Sequence, residues 1–196
     1  GHEIVHKIDV NNESDFTREN LSNAEVAIEF TSPESAVRNI KKCFEFGIPI
    51  VCGSTGWLKE WDEVTSHCKE KNGTFFYASN FSIGVNLFFE LNKKLAALMN
   101  SREEYDVSVE EIHHTQKKDA PSGTAITLAE GIIQNFSAKQ KWVLGKAANE
   151  SELSITSQRI DPAPGTHIIT YKSVIDDIEI KHTAHSRKGF AEGALA

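Results

Sequence analysis

Along the first part of the chain, apolar positions alternate between short extended runs and stretches at helical spacing. Residues 24 to 30 form a short apolar run, and Ser32-Pro33-Glu34 then supplies an N-cap, a proline at the first helical position and an early acid. Ala36, Val37, Ile40, Cys43 and Phe44 recur at helical spacing until Gly47 closes the helix. Ile48 to Cys52 reads as the next strand, Gly53-Ser54-Thr55-Gly56 as a tight turn, and Leu58 to Lys71 as a second helix. Asn72-Gly73 leads into a strand over Thr74 to Ala78. Strands and helices alternating through short connections predict a parallel sheet with right-handed crossovers. Ligands in such a sheet sit at the carboxyl ends of the strands, where Thr31, Gly53 to Thr55 and Ala78 to Phe81 fall.

From Ser82 the texture changes. Leu87, Phe88, Leu91, Leu95 and Leu98 form a helical stripe that predicts a core face. Asp106 to Ile112 reads as a strand, followed by a helix from Thr124 to about Asn135. Three further strands, Ser154 to Ile160, His167 to Val174 and Ile178 to His185, are divided by Asp161-Pro-Ala-Pro-Gly165 and Asp176-Asp177. Lys139 to Glu152 is polar and predicts a mobile loop. The expected fold class is α/β: a Rossmann-like parallel-sheet domain over residues 1–82, then an α+β domain with a mixed or antiparallel sheet over 83–196. No internal repeat is visible.

Composition narrows the functional classes. In 196 residues, 39% hydrophobic and 25% charged positions suit a folded core, and a net charge of −7 argues against a nucleic-acid partner. No apolar run approaches a membrane span and no signal peptide is visible, so the expected location is the cytoplasm, with no membrane partner. Cys43, Cys52 and Cys68 lack metal-site or disulfide spacing and are expected to be packed thiols. No metal site is predicted, because the histidines outside one adjacent pair are scattered.

That pair lies in the most informative stretch, Glu110-Glu-Ile-His113-His114-Thr-Gln-Lys117-Lys-Asp-Ala-Pro121-Ser122-Gly123-Thr124-Ala125. A helix that begins near Ser122 leaves the N–H groups of Gly123 and Thr124 without intrahelical partners, and these donors with the helix dipole favour a carboxylate or phosphate. Ser122 is the expected N-cap, and Gly123 lets a ligand approach the backbone. Histidine titrates near neutrality and suits proton donation. Lys117 returns from the loop toward the same anion site. Rings of adjacent residues on a strand point to opposite faces, so one of His113 and His114 would line a cleft unless the strand ends there.

The stretch Glu-x-His-His-x-x-Lys-x-Asp-Ala-Pro-Ser-Gly-Thr-Ala resembles the signature of the 4-hydroxy-tetrahydrodipicolinate reductases, nicotinamide-dependent enzymes of the diaminopimelate route to lysine. Three further segments agree in order: Val26-Ala-Ile-Glu-Phe30-Thr31-Ser-Pro33-Glu34, Ile50-Val-Cys-Gly53-Ser54-Thr55-Gly56 and Ala78-Ser79-Asn80-Phe81-Ser82-Ile-Gly84-Val-Asn86. His182-Thr-Ala-His-Ser-Arg187-Lys-Gly-Phe190-Ala-Glu-Gly-Ala194 is similar to the family's closing pattern. The resemblance implies His113 and Lys117 as the acid and electrostatic groups of catalysis, and His114, Ser122, Gly123 and Thr124 as binders of a cyclic dicarboxylate. It carries cofactor contacts onto Gly53, Ser54, Thr55, Ala78, Ser79, Asn80 and Phe81. It further implies NADH or NADPH as cofactor, hinge motion around residues 80 to 86, and a homotetramer built on the second sheet, with Tyr171 and neighbouring strand residues at the interface.

One departure concerns the cofactor. Family members carry a Gly-x-x-Gly-x-Met-Gly turn after their first strand, and this sequence has none. Gly1 to Asp9 is expected to be the second strand of the nucleotide domain, and the chain to be trimmed at both ends. Asp9 would then end that strand, where an acid bonds the adenosine ribose hydroxyls. Val10, Asn11 and Asn12 follow with no arginine for a 2′-phosphate, so NADH is favoured over NADPH. The alternative function is a noncatalytic dicarboxylate-binding or assembly fragment of such a reductase. Phosphoryl or acyl transfer at Pro121-Ser-Gly-Thr124 fits less well, since neither a P-loop lysine pattern nor a serine nucleophile elbow is present.

Overall fold

The computed structural model describes residues 1–196, which divide into two compact units, Gly1–Ser79 and Asn80–Ala196. In the first unit, β1 (Ala27–Glu29), α1 (Pro33–Phe46), β2 (Ile50–Cys52), α2 (Trp61–Glu70) and β3 (Phe75–Tyr77) follow in sequence. The strands pair in parallel in the order β1-β2-β3, with Glu29, Cys52 and Tyr77 side by side at their carboxyl ends. Helix α1 starts as its sequence dictates, with Ser32 and Ser35 forming a reciprocal capping box and Pro33 at the first position. It stops at Gly47, whose φ of 75° is a left-handed conformation that a glycine adopts without a Cβ clash. Ala36, Ile40, Cys43 and Phe44 face inward to meet Ile48, Ile50, Cys52, Trp57 and Val64. Burial pushes the thiols of Cys43 and Cys52 up to about 12, so both pack as neutral groups.

Gly1 to Asp9 is not a strand. The segment pairs with no sheet edge, and the Asp9 carbonyl and carboxylate close a turn by accepting from the amides of Asn12 and Val10. Its β-branched residues Ile4 and Val5 are exposed, so burial does not offset the entropy of extending it. The predicted helix from Leu58 begins as a 3-10 turn, Leu58–Glu60, before α2.

The second unit continues with α3 (Ile83–Met99), β4 (Asp106–His113), α4 (Gly123–Asn135), β5 (Lys141–Leu144), β6 (Glu152–Arg159), β7 (Gly165–Lys172), β8 (Asp177–Ala184) and α5 (Lys188–Leu195). Its sheet has the order β5-β6-β4-β7-β8, with β5, β6 and β4 parallel to one another, β7 antiparallel to β4 and β8 antiparallel to β7. Helices α3 and α4 pack on it. Val107 and Val109 of β4, Ile155 of β6, and Ile169 and Tyr171 of β7 meet Ala125, Leu128, Ala129 and Ile132 of α4. The whole chain is therefore α/β, a Rossmann-like parallel layer followed by a mixed five-stranded sheet. No helix is long and apolar enough to cross a membrane.

Three expectations change in this unit. The buried stripe of α3 is Val85, Phe88, Asn92, Ala96 and Met99, whereas Leu87, Leu91 and Leu98 are exposed. Close packing of α3 on α4 decides the phase: Asn92 donates through Nδ2 to the Leu128 carbonyl at 2.9 Å, and a Cβ on Gly131 would come within 3.2 Å of that nitrogen. The polar segment 139–152 is tied down, with β5 inside it. Its Lys139 is buried, donating to the carbonyls of Glu150 and Glu152 at 2.8 and 3.0 Å. Tyr171 lies inside the core of its own chain, edge-on to Phe136 at 5.7 Å, and so offers no surface to a partner.

Leu128 is fully buried between α4 and the sheet. Leu128→Ala should cost about 2–5 kcal/mol in urea unfolding, and a loss below about 1 kcal/mol would mean that this contact does not anchor the second unit.

Candidate active site

Strand β4 alternates strictly, with Val107, Val109, Glu111 and His113 all turned to the helix-covered face. The first two positions are ordinary core; the last two bring a carboxylate and an imidazole into the same layer. Glu111 has 0% and His113 7% of its surface exposed. Register supplies the surroundings, because Glu111 lies opposite Ser157 on β6 and His167 on β7, while His113 lies opposite Arg159 on β6. Cross-strand partners share a face, so these side chains converge.

Both carboxylate oxygens of Glu111 accept hydrogen bonds. Oε1 accepts from Ser157 Oγ at 2.7 Å and pairs with the Arg159 guanidinium at 3.3 Å. Oε2 accepts from the Ser122 amide at 3.0 Å and lies 3.4 Å from His113 Nδ1 and 3.9 Å from His167 Nε2. Burial works against the charge of Glu111, but the hydrogen bonds from Ser122 and Ser157 and the neighbouring His113 outweigh it and hold the carboxyl below its usual range. Burial also depresses His113; Glu111 opposes that shift, while Lys117 and Arg159 reinforce it. His167 is pushed down to about 3, first by burial and then by His113, and is a neutral imidazole at physiological pH.

Donor atoms of Glu111, His113 and His167 lie within 4.8 Å of one another, a spacing that suggests metal ligation. The carboxylate is instead committed to an amide, a hydroxyl and a guanidinium, and the Arg159 charge beside it disfavours a cation. The arrangement is that of an acid–base cluster.

Helix α4 starts at the edge of this cluster. Ser122 caps it, accepting from the Ala125 amide at 3.2 Å, and its hydroxyl lies 3.3 Å from His167 Nε2. A Cβ on Gly123 would meet nothing within 4 Å, so the first turn borders open space where a ligand can approach the backbone. Thr124 accepts from Asn80 Nδ2 at 3.3 Å, which ties that position to the start of α3. Strand β4 ends at His113, and His114 therefore leaves the sheet. Its Nε2 lies 3.0 Å from the Arg187 guanidinium. Lys117 is held by Asp119 at 2.8 and 2.9 Å to its two oxygens. A Cβ on Gly165 would come within 3.1 Å of His113 Nε2, so the glycine keeps that nitrogen uncovered.

In the first unit, the residues expected at the cofactor edge are organised by Glu29. This buried carboxylate accepts from the Thr31 amide at 2.9 Å and from Ser54 Oγ at 3.0 Å, while Cys52 Sγ donates to it at 2.8 Å. The Ser54 carbonyl accepts from Trp57 Nε1 at 2.7 Å, and the Gly53 amide donates to the Glu29 carbonyl at 2.9 Å. A Cβ on Gly53 would overlap the Phe30 ring at 2.1 Å, so a side chain at this position would have to displace that ring. Gly53, Ser54, Thr55, Ala78 and Ser79 lie together just beyond the carboxyl ends of β2 and β3. Asn80 and Phe81 belong to the second unit, where Asn80 accepts from the Ser82 amide at 2.9 Å and Phe81 is buried.

Sequence reasoning gave no role to Glu111, Glu29 and Arg187, although each lies in a segment that resembles the family, and singled out neither Arg159 nor His167. Glu111 carried a usable signal, since an acid in phase with Val107 and Val109 on an inward-facing strand demands buried partners. His167 and Arg159 reach the site only through register, which the local pattern does not encode.

Two family models together span nearly the whole chain: "Dihydrodipicolinate reductase, N-terminus" over residues 2–81 and "Dihydrodipicolinate reductase, C-terminus" over 84–196. The 4-hydroxy-tetrahydrodipicolinate reductase of Christiangramia forsetii is 50% identical over 99% of this chain and 80% of its own length. That of Methanoculleus marisnigri is 35% identical over 90% of this chain and 69% of its own length. Among solved structures, the dipicolinate-bound dihydrodipicolinate reductase of Paenisporosarcina sp. TG-14 matches with a TM-score of 0.66 at 24% identity, over 95% of this chain and 71% of that one.

His167 gives the cluster a pH signature. An unfolded histidine gains its proton near pH 6.5, while the buried ring resists protonation down to about 3, so acidification stabilises the unfolded chain. Stability should therefore fall as pH drops from about 6.5 toward 3, and His167→Gln should flatten that slope in melting curves taken across the window. An unchanged slope would mean that His167 titrates normally in the folded protein.

Proposed function

Because the chain belongs to the dihydrodipicolinate reductase family, we propose that it reduces 4-hydroxy-tetrahydrodipicolinate to tetrahydrodipicolinate with a nicotinamide cofactor, in the lysine and diaminopimelate route. The observation that carries this reading is the juxtaposition of a buried imidazole, His113, with the uncovered first turn of α4 through a shared carboxylate. The reaction adds a hydride and a proton and releases water. A site for it must hold two carboxylates and deliver a proton.

In this assignment the second unit binds the dicarboxylate. The amides of Gly123 and Thr124, the Ser122–Thr124 turn and His114 donate hydrogen bonds to the carboxylate oxygens, aided by the helix dipole. Lys117 supplies a positive charge by leaving Asp119, which already holds its ammonium near the turn. His113 donates the proton that meets the negative charge developing when hydride reaches carbon. The first unit takes the cofactor. The shared end of its parallel strands, with the Thr31 and Ser54 loops pinned by Glu29, suits a nicotinamide, which when bound supplies the hydride. Gly53, Ser54, Thr55, Ala78, Ser79, Asn80 and Phe81 are assigned to cofactor contact. Asp9 carries no assignment, because the strand that would present it to the ribose is not formed; the lack of an arginine after it for a 2′-phosphate favours NADH over NADPH. A cytoplasmic homotetramer is the assembly and location that accompany this activity.

The test is to follow nicotinamide absorbance with substrate, and nicotinamide fluorescence with and without pyridine-2,6-dicarboxylate. Turnover, with cofactor binding strengthened by the dicarboxylate, is expected. Dicarboxylate binding without NADH oxidation would instead support a noncatalytic binding fragment. His113→Gln should lower kcat about 10²-fold with NADH affinity little changed, whereas Lys117→Ala should damage kcat and substrate KM together. Undiminished turnover in His113→Gln would remove that residue from the chemistry.

A further inference from the structure

Building on the reductase reading, we propose that Glu111 is a positioning residue for the reduction: it orients His113 through Nδ1 and holds the start of α4 through the Ser122 amide, coupling the proton donor to the carboxylate cradle. The two oxygens divide the work. Oε1 is anchored to β6 by Ser157 at 2.7 Å and Arg159 at 3.3 Å, which leaves Oε2 aimed at the Ser122 amide at 3.0 Å and His113 Nδ1 at 3.4 Å. That Nδ1 is buried and has no hydrogen-bond partner, and Oε2 is the carboxylate oxygen beside it. Reorienting the ring closes the pair, in keeping with catalytic hydrogen bonds that tighten only when substrate binds. On the other side of the ring, Gly165 leaves Nε2 uncovered. The proton given to substrate departs from Nε2, while Nδ1 keeps its own against the carboxylate.

The charges facing His113 set the sign of the effect. Glu111 on β4 and Asp119 in the following loop favour the imidazolium; Lys117 in that loop and Arg159 on β6 disfavour it, and the neutral His167 on β7 brings no charge. Removing the Glu111 charge leaves burial and two cations opposed by Asp119 alone. His113 would then lose its proton at lower pH.

Glu111→Gln keeps an amide oxygen to accept from the Ser122 N–H and removes the charge that favours the His113 imidazolium. The expected outcome is a fall in kcat of about 10-fold or more, a substrate KM within about threefold of the parent, and an alkaline limb of the kcat profile moved to lower pH. Glu111→Ala, which removes both duties, should raise KM as well. A parental kcat and alkaline limb in Glu111→Gln would overturn the proposal. If that variant does not fold, ring-nitrogen NMR of the parent protein decides: a neutral His113 protonated on Nδ1 supports the proposal, and one protonated on Nε2 overturns it. His113→Gln measured in parallel keeps the two readings apart. Lost turnover there with parental turnover in Glu111→Gln sinks only the positioning role, whereas parental turnover in His113→Gln sinks the acid assignment on which it rests.

Discussion

A carboxylate with no exposed surface must be paired on both oxygens or give up its charge, and the second unit is arranged around that requirement. Glu111 sits on the central strand of a five-stranded sheet, so its partners can come from both neighbouring strands and from the helix that covers them. Ser157 and Arg159 arrive from the parallel side, His167 from the antiparallel side, and the Ser122 amide from the start of α4. Shifting any strand by one residue would turn its contribution to the other face and leave the charge short of a partner. The carboxylate therefore specifies register as well as chemistry. The apolar layer of Val107, Val109, Ile155, Ile169 and Leu128 supplies the stability that a buried charge does not.

Local chemistry was the legible part of the sequence. Ser32-Pro33 and Gly47 fix both ends of α1, and Ser122 fixes the start of α4, because capping is decided by residues within a turn of the helix end. The Glu-x-His-His run marked the end of β4 and the side chains delivered there. Pattern failed where a neighbour decides. In α3 the leucines at helical spacing pointed to one face, but contact with α4 needs small and hydrogen-bonding groups, so Asn92 and Ala96 are inside and Leu87, Leu91 and Leu98 outside. The polar composition of 139–152 concealed β5, which gains its hydrogen bonds from β6 and its anchor from a buried lysine. Gly1–Asp9 has strand-like composition without a strand to pair with.

Within the site, the sequence located the groups expected to touch substrate and missed the groups behind them. His113, His114, Lys117 and Ser122 to Thr124 are contiguous, and a single strand, loop and helix start bring them together. Arg159, His167 and Arg187 lie far along the chain and enter through strand pairing and the start of α5. The structure also refines two expectations about charge. Lys117 is stored on Asp119, and the Arg187 guanidinium stands against His114, so the positive charge at this edge is shared more widely than the His-His-Lys motif implies.

The same device recurs in the first unit on a different scaffold. Glu29 ends a parallel strand, is nearly as buried as Glu111, and likewise accepts from a backbone amide and a serine hydroxyl: those of Thr31, in the loop after its own strand, and Ser54, in the loop after the neighbouring strand. In both units the acid lies behind the turn expected to meet a ligand. The reason is physical: an exposed glycine-serine-threonine turn has little side-chain bulk with which to hold its shape, whereas a buried carboxylate accepts several hydrogen bonds at once and is costly to leave unpaired. Each turn is thus fixed from the protein side, so a ligand that meets it does not first have to order it.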